Sequence, residues 1–342
     1  MNSEIIETPA EADHGGAEHH GSTAVVAALI ANLSIAVVKF IAFFLTAASS
    51  MLAEAIHSVA DSGNQVLLLV GGRRATRAAT PQHPFGFGRE RYVFAFIVSI
   101  VLFSVGGLFA LYEAFHKYHE VAEGLPNQLL ESAFWWVPVI VLFAAIIAES
   151  LSLRTAIKES NKTRGQQTWI RFVRSAKAPE LPVILLEDFA ALTGLAFALA
   201  GVGLTLVTGN AIFDVIGTAL IGLLLVAVAV TLAIETKSLL LGESASPQVL
   251  IRIEQALTST PGVDRIIHMK TLHLGPEEIL VAAKIAVPAA ETAAHVADAI
   301  DAAEKAIREV EPMVTALYLE PDVFDADYQR APRPAPPSAP SH

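Results

Sequence analysis

The chain has 342 residues, 53% of them hydrophobic and 17% charged, with a net charge of −11 and a mean hydropathy of +0.52. That much apolar surface exceeds what a soluble domain of this size buries, so a membrane must absorb the excess. The absence of cysteine excludes disulfides, thiolate metal sites and a Cys nucleophile, and the acidic balance disfavours nucleic acid as a partner. Any metal must then be held by His nitrogen and carboxylate oxygen, which makes soft Cu(I) an unsuitable ion.

The first segment, residues 1–22, is acidic and His/Gly-rich rather than basic and apolar, so it is read as a flexible cytoplasmic head and not as a cleavable leader. Its His14, His19 and His20 are assigned no role. Apolar runs of about 20 residues, enough to cross about 30 Å of hydrocarbon, follow at Thr23–Thr46, Met51–Gly72, Tyr92–Phe115, Phe134–Leu153, Pro182–Val207 and Ala211–Ile234. Six spans are expected over residues 23–240, with spans one and two, and five and six, joined as tight hairpins. Arg73, Arg74, Arg77, Arg89 and Arg91 follow span two, and Arg154, Lys158, Lys162, Arg164, Arg171, Arg174 and Lys177 follow span four. Basic loops stay on the cytoplasmic side, so both termini are expected there, in a bacterial inner membrane. The loop after span three carries Glu120, Glu123 and Glu131, and its His116-Lys117-Tyr118-His119-Glu120 run is read as a solvated outer loop.

Beyond residue 240 the pattern changes to that of a small soluble domain, residues 241–325. Ser246-Pro247 reads as an N-cap followed by proline at the first helical position, opening a helix to about Thr260. Strands are predicted at Val263–Leu274 and Glu278–Val287 around Gly275-Pro276. A helix then places Val296, Ile300, Ala303, Ile307 and Val310 on one face, and a strand follows at Val314–Glu320. The order αββαβ implies an α+β fold, helices on one face of three strands. Residues 326–342 form a Pro-rich tail expected to be disordered.

Span two carries the chemistry. At 100° per residue from Glu54, His57 falls at about 300°, Ser58 at about 40°, Asp61 at about 340°, Asn64 at about 280° and Gln65 at about 20°. All six side chains share one sector of about 120° on an otherwise apolar helix. Ionisable groups at membrane depth are costly unless they face water, partners or a cation. The bland reading is a hydrogen-bonded stripe that joins helices. The sharper one is a cation site, because His57 and Asp61, one turn apart, can reach the same ion. Glu187-Asp188, inside the apolar run of span five, are the candidates to complete it, and a solvated interfacial pair is their alternative reading.

With His57-Ser58-Val59-Ala60-Asp61 and His83-Pro84-Phe85-Gly86-Phe87-Gly88-Arg89 on one chain, the sequence resembles the cation diffusion facilitator family of zinc-type transporters, from about Val25 to Asp322. The second run is similar to the family's His-x-Phe-Gly-x-Gly-Lys/Arg segment. The resemblance implies six membrane helices, a cytoplasmic ferredoxin-like domain, a homodimer and no enzymatic activity. It also implies a transport site combining the span-two pair with a His/Asp-x-x-x-Asp pair on span five. Asp188 takes the second of those positions, but the first is Ile184. One ligand is missing, with Glu187, Glu54 and Asn64 as replacements, and Leu186-Glu187-Asp188 is closest to a divergent branch carrying Leu-Glu-Asp. In the loop, His83 matches a family ligand while Phe87 stands at the next, so that accessory site is expected to be lost. His268, His295 and Glu320 fall at or near family ligand positions in the soluble domain, but Ala283 and Tyr318 occupy others, and no full two-metal site is expected.

The expected function is a proton-coupled efflux antiporter: a divalent cation binds His57, Asp61 and Asp188, and protons load the same groups on return. No cofactor is expected beyond the transported Zn²⁺, with lipid around the bundle. Mixed N/O ligation suits Zn²⁺, and a carboxylate-richer cage with Glu54 and Glu187 favours Mn²⁺ or Fe²⁺. The alternative from another class is a non-transporting scaffold of the same fold. An intramembrane metallohydrolase is poorer, since no span carries His-Glu-x-x-His.

Overall fold

A computed structural model describes residues 32–325, and the His-rich head and Pro-rich tail lie outside the described residues. The chain divides into two compact units between Leu241 and Gly242. In the first, α1 (Asn32–Thr46) turns at Ala47 into α2 (Ser49–Ala75). A long helix α3 (Glu90–Ala122) contains a π-helical segment at Leu102–Leu108. The short α4 (Gln128–Glu131) leads to α5 (Val137–Arg164), and the seven-residue α6 (Trp169–Ser175) joins it to α7 (Glu180–Thr208). Helix α8 (Ile212–Leu241) completes the unit.

Helices α3, α5, α7 and α8 are long and apolar enough to cross a membrane. Helix α2 has 27 residues, about 40 Å at 1.5 Å each, which is also sufficient length. Its polar stripe is what lowers its hydropathy. The outward faces of the helices are apolar, with Ile140, Phe143, Ile147, Leu151 and Leu223 all exposed, as lipid-facing surfaces require. Small residues let α7 and α8 cross closely. A Cβ on Gly201 of α7 would stand 2.9 Å from the Phe213 carbonyl oxygen, and one on Gly217 of α8 would stand 2.9 Å from the Phe197 carbonyl oxygen, so backbone meets backbone there. Gly209, at φ 69°, ends α7 in the left-handed conformation and sends its N–H back to Thr205, allowing the turn into α8.

The second unit has the expected order: α9 (Pro247–Thr258), β1 (Arg265–Gly275), β2 (Glu278–Ala286), α10 (Ala293–Val310) and β3 (Val314–Asp322). Ser246 caps α9, its hydroxyl accepting from the Val249 N–H at 3.4 Å, and Thr292 caps α10 in the same way. The sheet runs β1-β2-β3. β1 and β2 form an antiparallel hairpin, and β3 lies parallel to β2 because α10 is the crossover between them. Val249, Ile253 and Leu257 of α9 and Ala303 and Ile307 of α10 pack on Ile279, Val281, Ala283 and Ile285 of β2, forming one core under the helices.

Candidate functional site

The polar stripe predicted for span two is present on α2 and turned into the helix bundle. Glu54, His57, Ser58 and Asn64 are buried, and Asp61 keeps 16% of its side-chain surface. From Glu54 to Asn64 the stripe covers about 15 Å of helix. Along it, His57 Nδ1 approaches Asp61 Oδ1 to 3.4 Å. Both ring nitrogens of His57, Asp61 Oδ1, Asn64 Oδ1 and Glu54 Oε1 are buried without a hydrogen-bond partner. Each such atom costs about 1–3 kcal/mol when it has only apolar surroundings. Several such atoms lie on one face of one helix.

Helix α7 supplies the second side. The Asn64 side-chain amide donates to Glu187 Oε1 at 2.7 Å, which ties a buried carboxylate of α7 to the stripe. Asp188, the next residue, lies 100° further round α7, and the Ser152 hydroxyl of α5 donates to its Oδ2 at 2.9 Å. The sequence favoured Asp188 as the α7 ligand. In the structure it is Glu187 that meets the α2 stripe, while Asp188 stands beside it facing α5.

Two charged groups that the sequence reading left out belong to the same region. Glu149 of α5 shares a small polar cavity with Asn32, Ser58 and Asp61. Glu187, Glu149, Lys39 and Asp188 all lie within electrostatic reach of Asp61. Lys39 of α1 is 1% exposed, and its Nζ donates to Glu54 Oε2 at 2.9 Å and to Ser58 Oγ at 2.8 Å. Glu54, a candidate replacement ligand on sequence grounds, is thereby held by a fixed ammonium. Lone charges inside apolar runs were the available signal for both Lys39 and Glu149.

Asp214 is a third such group, 2% exposed at the start of α8. Its carboxylate accepts from the backbone N–H groups of Ser49 at 2.7 Å and Ser50 at 3.4 Å and from the Ser50 hydroxyl. A side chain of α8 therefore caps the first turn of α2, whose N–H groups have no partner within their own helix. The end of the helix that carries the stripe is fixed from across the bundle.

The accessory candidates stand apart. His83 lies on an exposed loop, its ring 4.7 Å from that of Phe87. In the second unit His268, Lys284 and Glu320 form one row across β1, β2 and β3, so Lys284 stands between the two candidate ligands in the register, and its ammonium bonds Glu320 at 3.0 Å and Asp322 at 2.6 Å. His295, on α10, pairs with Glu291 at 2.8 Å. Among the described residues no three His, Asp or Glu side chains are drawn together closely enough to enclose an ion.

Residues 25–241 match the family model described as the cation efflux transmembrane domain. Over 249 residues the chain is 32% identical to the mouse (Mus musculus) protein named proton-coupled zinc antiporter SLC30A9, mitochondrial, a match covering 72% of this chain and 42% of that protein. It is 28% identical over 270 residues to metal tolerance protein C4 of Arabidopsis thaliana, covering 78% of this chain and 57% of that one. The chain spans about half the length of these curated relatives. Among solved structures, a MamM CTD in its nickel form aligns with 23% of this chain and 100% of its own at 21% identity, with a TM-score of 0.23.

Proposed function

Since the chain belongs to the cation efflux family, we propose that it is an antiporter exchanging a divalent metal cation, Zn²⁺ above others, for protons, and that the ion is held between α2 and α7. The observation that carries the reading is the row of buried, unpartnered acceptors on α2 beside Glu187. His57 and Asp61 are the first two ligands, Glu187 brings the α7 carboxylate, and Asp188 is the adjacent one that completes the set when the helices shift. Asn64 holds Glu187 against the stripe. An imidazole with two or three carboxylates in a four-coordinate cage suits a d¹⁰ ion without geometric preference.

Proton coupling follows from the same ligands. Neutral imidazole and ionised carboxylate bind the metal, while their protonated forms do not, so ion and protons displace one another from one set of atoms. Alternating exposure of that set to the two sides then exchanges them. The additional carboxylate of Glu149 near Asp61 favours Mn²⁺ or Fe²⁺ as second choices.

The reading includes a homodimer and a topology with both termini on the side of the basic loops. Several relatives are named as mitochondrial, which leaves the bacterial inner membrane expected from the sequence without support. Competitive uptake of Zn²⁺, Mn²⁺, Fe²⁺ and Cd²⁺ into proteoliposomes at two pH values tests the proposal. Zinc is expected to enter in preference and in proportion to an opposing proton gradient. A protein that carries none of the four is a scaffold, and the proposal fails.

A further inference from the structure

Lys39 has no part in the ligation proposed above, yet it lies at the end of the same stripe. Its ammonium contacts Glu54 Oε2 at 2.9 Å, Ser58 Oγ at 2.8 Å and the Glu54 carbonyl oxygen at 3.5 Å, and both charged side chains are within 1% of full burial. The other oxygen of that carboxylate, Oε1, is pressed towards α7, where a Cβ on Gly194 would stand 2.7 Å from it. The Glu54 carboxylate is thus fixed on two sides, by Lys39 of α1 and by the gap that Gly194 leaves.

A lysine at membrane depth is costly unless something there uses its charge. A buried ion pair of this kind is often replaceable by apolar side chains without loss of stability. Adhesion between α1 and α2 is therefore a weak reason for it. Its position gives a better one. Glu54 lies three residues before His57 and seven before Asp61, on the same face, and is the one carboxylate of the α2 stripe with an ammonium bonded to it. Lys39 neutralises the carboxylate through Oε2 alone, since Oε1 has no hydrogen-bond partner; were Lys39 absent, Oε2 would lose its partner too, and the site would hold one more uncompensated carboxylate for the same single imidazole.

We propose that Lys39 is a tethered cation that sets the ion selectivity of the site by withholding Glu54 from the transported metal. Hard, oxygen-preferring ions such as Mn²⁺ gain from each added carboxylate, whereas an imidazole-containing set favours Zn²⁺. A fixed positive charge beside the stripe also limits how much further cation charge it accepts. The inference rests on the antiport reading above, and its own failure is separable from the failure of that reading.

The test is the Mn²⁺:Zn²⁺ uptake ratio of full-length protein in proteoliposomes, for the parent, Lys39→Met, Lys39→Gln and the double variant Lys39→Met/Glu54→Gln. Lys39→Met is expected to raise the ratio by at least about tenfold, and the double variant is expected to return it to the parent value, because the released carboxylate is then gone. Lys39→Gln removes the positive charge while keeping a neutral donor for Glu54, so it is expected to raise the ratio in the same direction but by less, and it is the variant to read where Met does not fold. An unchanged ratio in a folded, transporting Lys39 variant overturns the proposal, as does a double variant that remains shifted. Misfolding of both single variants with recovery in the double variant assigns the pair to structure alone and also overturns it. A parent that carries neither ion refutes the antiport reading instead.

Discussion

A single methyl group added to α7 tests the fit between Glu54 and the helix it faces. In a helix interior, Gly→Ala ordinarily stabilises, by up to about 1 kcal/mol, because alanine loses less backbone entropy. At Gly194 the new Cβ would lie 2.7 Å from Glu54 Oε1, a separation that real Cβ atoms do not tolerate. Glu54 cannot swing away freely, since Lys39 holds its other oxygen at 2.9 Å and the side chain has no exposed surface. Overpacking of this kind costs about 1–3 kcal/mol, which exceeds the propensity gain. Gly194→Ala is therefore expected to destabilise the protein by about 1–2 kcal/mol net. Gly203 lies nine residues along the same helix with nothing within 4 Å of its Cβ position, so Gly203→Ala is expected to be neutral or stabilising. Thermal denaturation of parent and both variants in one detergent, followed by tryptophan fluorescence, separates the two. Equal melting of the Gly194 and Gly203 variants would show that Glu54 is not packed against α7 as described.

Removing the cap on α2, Asp214→Ala, leaves the Ser49 and Ser50 N–H groups and the Ser50 hydroxyl without an acceptor and is expected to cost about 1–3 kcal/mol in the same melting assay. Unchanged melting would mean that the carboxylate does not fix that helix end. Between the neighbouring α7 carboxylates, Glu187→Gln is expected to reduce zinc uptake more than Asp188→Asn, because Asn64 ties Glu187 to the stripe and Ser152 ties Asp188 to α5. The reverse order would restore Asp188 as the principal α7 ligand. In the second unit, hydrogen bonds to Asp322 and Glu320 push Lys284 up to about 12, and the hydrogen bond from Lys284 holds Asp322 below its ordinary value. A carboxylate whose value is depressed on folding contributes stability above its unfolded value of 3.8, and loses it as pH falls through the lower folded value. Lys284→Met is therefore expected to flatten the acid limb of the stability profile of the full-length protein while leaving its shape near neutrality. An acid limb as steep as the parent's would refute this.

The elements were legible where one period ran unbroken. The αββαβ order of the second unit followed from the Ser246-Pro247 start, the Gly275-Pro276 turn between the strands and the single apolar face of α10, and its elements agree with the structure to within two residues or so. The stripe on α2 was legible for the same reason, since helical phase alone puts Glu54, His57, Asp61 and Asn64 on one side. Partners across the bundle were not. Nothing in the phase of α1 says that Lys39 meets Glu54, because that depends on the rotation of two helices about their own axes. Glu187 and Asp188 differ by 100° on α7, and only the crossing of α7 over α2 decides which of them reaches Asn64. Asp214 was hidden because it sits at the start of a span, where an acidic residue reads as an ordinary first-turn charge, although its acceptors serve a different helix. The π-helical segment at Leu102–Leu108 has a composition that no periodicity distinguishes from the α-helix on either side of it.

The central claim is that one ion is exchanged for protons at the α2 face bearing His57 and Asp61. Zinc flux into proteoliposomes driven by an imposed pH gradient, measured for the parent, His57→Ala and Asp61→Ala, tests it most directly. The parent is expected to accumulate zinc against its gradient and to stop when the pH difference is collapsed. Each variant is expected to lose more than about a hundredfold, the upper end of what changes in residues merely supporting a metal ligand produce. Proton-driven zinc flux that survives both substitutions would place the ion elsewhere and contradict the account.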